Sequence, residues 1–255
     1  MREEQNKGQR KRRKKRKPSK FAYFLLLLVI ALCAAAICAA VFLKVNSIKI
    51  SGKSQYSAEQ IEKASGITHD TNLLSINKTK VVAGLRTILP YISDAKISIK
   101  LPSTVNIEVI EDSPEYVFSF ENQYALIDGS LKALGLTKDI GKYKNLITLG
   151  GVKALKFEPG STVKFQDGRE QTAIKELSSA VKEAQISKVT GYNIGDSYQL
   201  SVVYDSRITI VIGTITEADK KLTDAAAIIK HKIQPSDKGT LDVSAQNKRY
   251  TFSPN

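Results

Sequence analysis

The sequence lacks tryptophan and holds only two cysteines, two histidines and one methionine among its 255 residues. Both cysteines, Cys33 and Cys38, fall inside one long apolar run. The chain beyond this run therefore has no thiol, which excludes disulfides and cysteine-based metal sites there. Neither His69 nor His231 has a companion at metal-ligand spacing, so we expect no metal and no other cofactor.

Sequence motifs of catalysis are also missing. The patterns HExxH, GxSxG and the phosphate-binding loop are absent, so metalloprotease, hydrolase and nucleotide-binding activities lack their usual anchors. The neighbouring carboxylates Glu111 and Asp112 fall at a predicted strand end, where such groups are usually solvated. A pairing of a serine with a lysine depends on the fold and stays open. We predict that the protein is not an enzyme.

Acidic residues are scarce at the start of the chain, where residues 1–20 hold eleven Lys or Arg against Glu3 and Glu4. Clustered cations can neutralise nucleic-acid phosphates, but this tail lacks interleaved aromatic residues. A polybasic stretch beside an apolar run is instead typical of a topology signal that touches anionic lipid. We predict a disordered cytoplasmic tail over 1–20 and no nucleic-acid partner.

Residues 21–43 contain no charge, no glycine and no proline. As a helix they would be roughly 35 Å long, enough for a hydrocarbon core of about 30 Å. A cleaved signal is the alternative, but its apolar core spans only about 7 to 15 residues. Because the basic flank precedes the run, we predict one transmembrane helix in the plasma membrane, with a cytoplasmic N-terminus and an extracytoplasmic C-terminus.

Small residues repeat every four positions within this predicted span, at Ala31, Ala35 and Ala39. Such a face allows a neighbouring helix to approach closely, and we predict it as a packing face. Alanine is common in any membrane helix, so a lipid-facing position for these residues is equally open.

The next seventy residues predict the order β-α-α-β-β. Alternating apolar residues indicate strands at 45–51, 95–101 and 104–111. Ser57 and Gln60 fit a capping box that starts the first helix, and Asn77 fits the cap of the second. This order is enough for a small sheet covered on one face by two helices.

These residues carry a family resemblance. The segments SIKISGKSQYSAEQIEKASGI, NLLSIN and ILPYISDAKISIKLPSTVNIEVIEDSP resemble a POTRA domain directly after a signal anchor, the combination found in the FtsQ/DivIB family of bacterial cell-division proteins. In that family an acidic residue, often followed by arginine, precedes a proline. Glu111 and Pro114 match, whereas Asp112 replaces the arginine. The resemblance implies a POTRA domain over 44–114.

The remaining chain predicts a mixed sheet with two helices, giving an α+β fold overall. Asp167 and Glu170 fit the start of one helix, and Thr216 fits the cap of the other. The order of IVIGT, a Lys-Leu pair at 221–222 and LDVS is similar to the β domain of the same family. The resemblance implies a β domain over 115–252 and a tail of 253–255. The basic tail and the short C-terminus look more like the DivIB branch.

The last predicted strand lies at the end of the chain, where edge strands offer unpaired backbone groups to a partner. In the family it resembles, this region receives an extracytoplasmic segment of DivIC, called FtsB in other bacteria, which is bound to FtsL. The resemblance thus implies a β-augmentation strand, while a covered strand that only completes the core stays open. The residues are Lys248, Arg249, Tyr250, Thr251 and Phe252.

Taken with the resemblance, these features predict a scaffold at the division septum. It would bind DivIC/FtsB-like and FtsL-like proteins, contact components of the septal peptidoglycan synthase, and help to control septal peptidoglycan synthesis. A membrane-anchored enzyme of the cell wall and an extracytoplasmic sensor are the alternatives. A sensor would need a cytoplasmic output module, which twenty residues are too few to fold.

Overall fold

The computed structural model describes residues 20–255 except Lys144, Gln246 and Lys248. The side chains of Ala22 and of residues 38–41 also lie outside the described part. The predicted basic tail over 1–20 therefore lies outside the described residues except for Lys20, which is helical. The described residues form five α-helices, a three-stranded sheet, a nine-stranded sheet and a two-stranded hairpin.

Helix α1, Lys20–Phe42, covers the predicted span. Its described apolar side chains are exposed, for example Leu27 and Ile37. Among the described residues, no helix is both long enough and apolar enough to cross a membrane. Ala31 and Ala35 are exposed on α1, and the side chain of Ala39 lies outside the described residues.

The small sheet unit follows α1 and has the predicted order β-α-α-β-β. Its strands are arranged β1-β3-β2, with β1 parallel and β2 antiparallel to the central β3. One side of this sheet is covered by the two helices, whose buried side chains include Ile61 and Leu85. Its elements are β1 (Ser47–Ser51), α2 (Ala58–Ser65), a 3₁₀ turn (Leu73–Ser75), α3 (Lys78–Ile88), β2 (Ile92–Lys100) and β3 (Thr104–Glu111).

Both helices of this unit begin at the caps that the sequence predicts. The Ser57 hydroxyl accepts from the Gln60 amide at 3.2 Å, and the Gln60 side chain accepts from the Ser57 amide at 2.9 Å. Asn77 Oδ1 accepts from the Lys80 amide at 3.1 Å. These bonds satisfy amides that the first helical turn leaves without partners.

Glu111, at the end of β3, has a structural partner set. Its carboxylate accepts a hydrogen bond from the Ser54 hydroxyl at 2.5 Å and from the Gln55 amide at 3.0 Å. The carboxylate therefore holds the loop that follows β1 against the end of β3. This accounts for an acidic residue at this position without a catalytic role.

The large sheet unit has nine strands in the order β14-β13-β12-β11-β10-β7-β4-β5-β6. Parallel pairs join β12 to β13, β10 to β7 and β4 to β7, and the other pairs are antiparallel. Its strands are β4 (Tyr116–Phe120), β5 (Gln123–Ile127), β6 (Ala133–Thr137), β7 (Ile147–Gly150), β10 (Val189–Asn193), β11 (Leu200–Tyr204), β12 (Ile208–Gly213), β13 (Gly239–Asp242) and β14 (Thr251–Pro254). A separate hairpin pairs β8 (Ala154–Lys156) with β9 (Lys164–Phe165).

Two helices pack on one face of this sheet, α4 (Gly168–Glu183) and α5 (Ala218–Lys232). Leu177 of α4 and Leu222 of α5 are fully buried in the main core, together with strand residues such as Val202 and Ile210. The capping box of Asp167 and Glu170 is present at the start of α4, as predicted.

The predicted cap of α5 at Thr216 is wrong. The residue before α5 is Glu217, which has a positive φ of 56° and makes no capping hydrogen bond through its side chain. Instead, Lys221 Nζ donates to the carbonyl oxygens of Ile212 at 2.8 Å and Thr214 at 3.1 Å. The side chain of Lys221, a residue of α5, therefore holds the segment at the end of β12 in place.

Candidate partner-binding edge

Strand β14 forms one edge of the nine-stranded sheet. It pairs antiparallel with β13, in a register that sets Phe252 opposite Leu241 and Thr251 opposite Asp242. Within the described residues, no strand lies on the other side of β14. The sheet therefore ends in a strand whose outer side is open to a further strand.

The register also determines which backbone amides of β14 donate hydrogen bonds to β13. The Asn255 amide donates to the carbonyl oxygen of Lys238 at 3.0 Å, one position beyond the paired strands. Hydrogen-bonded and non-hydrogen-bonded pairs alternate along an antiparallel ladder. Ser253 and Thr251 therefore occupy the hydrogen-bonded positions, and their amides face β13.

Phe252 and Pro254 occupy the alternate positions, so their backbone polar groups point away from β13. Proline has no amide hydrogen. Of these two residues, Phe252 therefore offers an amide donor and a carbonyl acceptor, whereas Pro254 offers only a carbonyl. An added strand would find its central pair of backbone hydrogen bonds at Phe252.

The side chains around the edge anchor it to the core. The Phe252 ring is partly buried and packs against the main core. Just before the strand, the Tyr250 hydroxyl donates to Oδ2 of Asp224 on α5 at 2.7 Å. This hydrogen bond raises the pKa of Tyr250 to about 12, because the Asp224 carboxylate accepts the proton that ionisation would remove.

Gly239 is needed for this pairing. A Cβ atom there would overlap the carbonyl oxygen of Ser253 and would lie 2.9 Å from the Cα of Pro254. The two backbones thus approach too closely for any side chain at Gly239. The glycine sets the position of β14 against the sheet.

The predicted strand over 248–252 begins too early. Lys248 lies outside the described residues, and Arg249 and Tyr250 precede the strand, which runs from Thr251 to Pro254. The chain turns before the strand because Asn247 Oδ1 accepts from the Arg249 amide at 3.2 Å, while Tyr250 is held by α5. The sequence prediction missed the last two strand residues. Pro254 was the available signal, since proline within sheets is confined mainly to edge strands, strand starts and bulges.

The comparisons with known proteins agree with this architecture. Residues 43–111 match a family model described as POTRA domain, FtsQ-type. The chain is 27% identical over 244 residues to the cell division protein DivIB of Clostridium botulinum strain Hall, covering 95% of this chain and 93% of the relative. It is 26% identical over 214 residues to the cell division protein DivIB of Clostridium tetani, covering 83% of this chain and 80% of the relative.

A third relative, the cell division protein DivIB of Clostridium acetobutylicum, is 28% identical over 203 residues, covering 80% of each chain. The matches extend well beyond the POTRA region, because each covers at least four fifths of the chain. All three relatives carry the name of a cell-division protein. Over most of its length the chain is thus similar to DivIB cell-division proteins, and its residues 43–111 match the FtsQ-type POTRA domain.

Proposed function

We propose that this division protein is a septal scaffold of the plasma membrane whose β14 edge receives a strand from a DivIC/FtsB-like partner. That partner would be bound in turn to an FtsL-like protein. The single observation that carries the proposal is the open outer side of β14, where Phe252 presents its backbone amide and carbonyl. A strand added there would extend the nine-stranded sheet by β-augmentation.

The proposed topology rests on charge and apolar length. Residues 21–43 are free of charge and follow a strongly basic tail, which favours a cytoplasmic N-terminus. The exposed apolar side chains of α1, such as Phe24 and Leu28, suit a lipid environment better than water. In this arrangement the sheet units lie on the outer side of the membrane, and Ala31, Ala35 and Ala39 form a face for a neighbouring helix.

The proposed output is control of septal peptidoglycan synthesis. A scaffold acts by bringing partners together, so the β domain, proposed over 115–252, would hold the DivIC-like and FtsL-like proteins. The POTRA domain, proposed over 44–114, would contact other division proteins, including components of the septal peptidoglycan synthase. Both assignments rest on the family relationship and on the position of the open edge.

Two substitutions at one position test the edge. Phe252→Pro and Phe252→Ala both remove the aromatic ring, but only proline also removes the outward amide. The bond pattern with β13 is retained, because the Phe252 amide does not face β13. We expect Phe252→Pro to weaken binding of the purified DivIC-like partner at least tenfold more than Phe252→Ala, measured by calorimetry with the full chain in detergent.

The comparison separates ring packing from backbone pairing. A loss shared equally by both variants would show that only the ring matters, which would overturn β-augmentation at Phe252. Unchanged binding in both variants would place the partner elsewhere. Circular dichroism of each variant checks that the sheet is retained.

A further inference from the structure

Lys132 is a buried cation that the partner-binding edge does not use. It lies in the turn between β5 and β6 of the large sheet unit and is only 5% exposed. Its Nζ atom donates to the carbonyl oxygen of Ile92 at 3.0 Å. Ile92 is the first residue of β2, so this side chain reaches from the β domain to the backbone of the POTRA domain.

The carboxylate that faces Lys132 belongs to Asp128 and is held in place by hydrogen bonds within the same turn. Asp128 is 3% exposed, and its Oδ2 lies 3.9 Å from Lys132 Nζ. Asp128 Oδ1 accepts from the Ser130 amide at 2.8 Å, the Ser130 hydroxyl at 2.7 Å and the Lys132 amide at 2.9 Å. The carboxylate is therefore oriented by local bonds, and Lys132 bridges it to Ile92.

An apolar cluster lies next to this bridge, because Tyr91 directly precedes Ile92 in the chain. Tyr91, the residue before β2, packs against a buried cluster on the β4-β5-β6 end of the large sheet, together with Tyr143. The buried members of the cluster are Val117, Leu126 and Leu134. Lys132 is itself buried, and this burial lowers its pKa, while the charges of Asp128 and Asp112 oppose that shift.

A second close contact between the two domains is made by the loop that contains Gly160. Gly160 has a φ of +87°, and a Cβ atom there would lie 2.6 Å from the carbonyl oxygen of Thr87 near the end of α3. The Gly160 amide donates to the carbonyl oxygen of Ala133 at 2.8 Å, which ties this loop to β6. The loop can approach the POTRA domain this closely only because it carries no side chain at this point.

We propose that Lys132 is a positioning residue that locks the POTRA domain and the β domain in one relative orientation. Separating the domains would leave the carbonyl of Ile92 without its donor and would open the buried Lys132–Asp128 pair to rearrangement. The bond from Lys132 to Ile92 has a charged donor, and hydrogen bonds of this kind are stronger than those between neutral groups. The scaffold is then a rigid body from β1 to β14, which holds the β14 edge at a fixed angle to the POTRA domain. This proposal does not depend on which partner occupies that edge.

The test uses distances between spin labels in the full chain in nanodiscs, with Cys33 and Cys38 replaced by alanine. One labelled pair, at Lys96→Cys on β2 and Lys175→Cys on α4, spans the junction. A second pair, at Lys175→Cys and Ser236→Cys, lies within the β domain and reports on its fold. All three positions are exposed.

The variants are Lys132→Met, which removes the charge but keeps an unbranched side chain one atom shorter, and the double variant Asp128→Asn with Lys132→Met. The double variant leaves no buried charge, and the introduced asparagine side chain keeps the oxygen that accepts from the turn amides. Gly160→Ala adds a Cβ atom that would lie 2.6 Å from the carbonyl oxygen of Thr87, so it pushes this loop away from α3. We expect a single narrow distance distribution across the junction in the wild type, and at least a twofold broader one in each variant, with the pair inside the β domain unchanged.

Two results would overturn the proposal. A junction distribution that stays narrow in Lys132→Met and in the double variant would show that Lys132 does not set the orientation. Broadening of both label pairs would show that Lys132 supports the fold of the β domain itself rather than the junction.

Discussion

The Tyr250 hydroxyl donates a hydrogen bond of 2.7 Å to Oδ2 of Asp224, and this contact ties the segment before β14 to helix α5. Strand β14 is therefore held by its backbone pairing with β13, and the residue before it is held by a side chain of α5. Because the contact is made by a side chain, it can be removed without altering the outward backbone groups of Phe252.

Replacing Tyr250 with phenylalanine tests this anchor. We expect a loss of stability below about 1 kcal/mol, since the site is partly exposed and water competes for the bond. The pKa of Tyr250 is raised to about 12 in the folded chain, above its ordinary value of 10.0. The stabilisation is therefore complete below about pH 10 and is lost as the pH rises toward 12. Urea unfolding of the wild type and Tyr250→Phe at pH 8 and pH 11 should show the difference shrinking at the higher pH, and a constant difference would contradict it.

Gly239→Ala should displace β14, because the new Cβ would overlap the carbonyl oxygen of Ser253. We expect a loss of about 1 to 3 kcal/mol in the free energy of unfolding, as for other overpacked sites, and faster amide exchange at Ser253. The matched control is Gly168→Ala at the start of α4, where an added Cβ meets nothing within 4 Å. Equal stability of the two variants would show that the close approach at Gly239 is not required.

Adjacent lysines on α5 should differ in their effect on stability. Lys221 donates to two backbone carbonyls beside the end of β12, whereas Lys220 pairs with the exposed Glu217. We expect Lys221→Met to cost about 1 to 2 kcal/mol because it leaves acceptors without a donor. Lys220→Met should leave the unfolding temperature close to that of the wild type, because exposed ion pairs contribute little to stability. Thermal unfolding of both variants checks the ranking, and a larger loss in Lys220→Met would refute it.

A comparison of two predicted caps tests the assignment of helix starts. Ser57→Ala removes a capping hydrogen bond and should cost about 1 kcal/mol. Thr216→Ala removes no side-chain cap of α5, since the residue preceding that helix is Glu217, and should stay within about 0.5 kcal/mol of the wild type. Denaturant unfolding distinguishes the two, and a full capping loss at Thr216 would restore the original prediction.

Local signals explain what the sequence predicted correctly. The capping boxes at Ser57 and Asp167 form because their partners lie three residues away, so the pattern contains the whole interaction. The order β-α-α-β-β followed from periodicity for the same reason. Thr216 misled because α5 begins after Glu217, which has a positive φ and makes no capping hydrogen bond through its side chain.

Contacts between distant residues were beyond the sequence. Lys132 and Ile92 are forty positions apart, and nothing in the alternation of β2 or in the turn after β5 indicates that they meet. The start of β14 was misplaced because it depends on the hydrogen bond from Tyr250 to Asp224 of α5, twenty-six positions away. Such features appear only when the sheet and the junction are assembled.

Hydrogen exchange at a single amide tests the partner-binding edge most directly. In the free chain, the amides of Thr251 and Ser253 face β13 and should exchange slowly, whereas the Phe252 amide faces outward and should exchange quickly. Saturating the full chain with the purified DivIC-like partner should slow exchange at Phe252 at least tenfold, because an added strand supplies its acceptor. Unchanged, fast exchange at Phe252 in the saturated complex would contradict β-augmentation at β14.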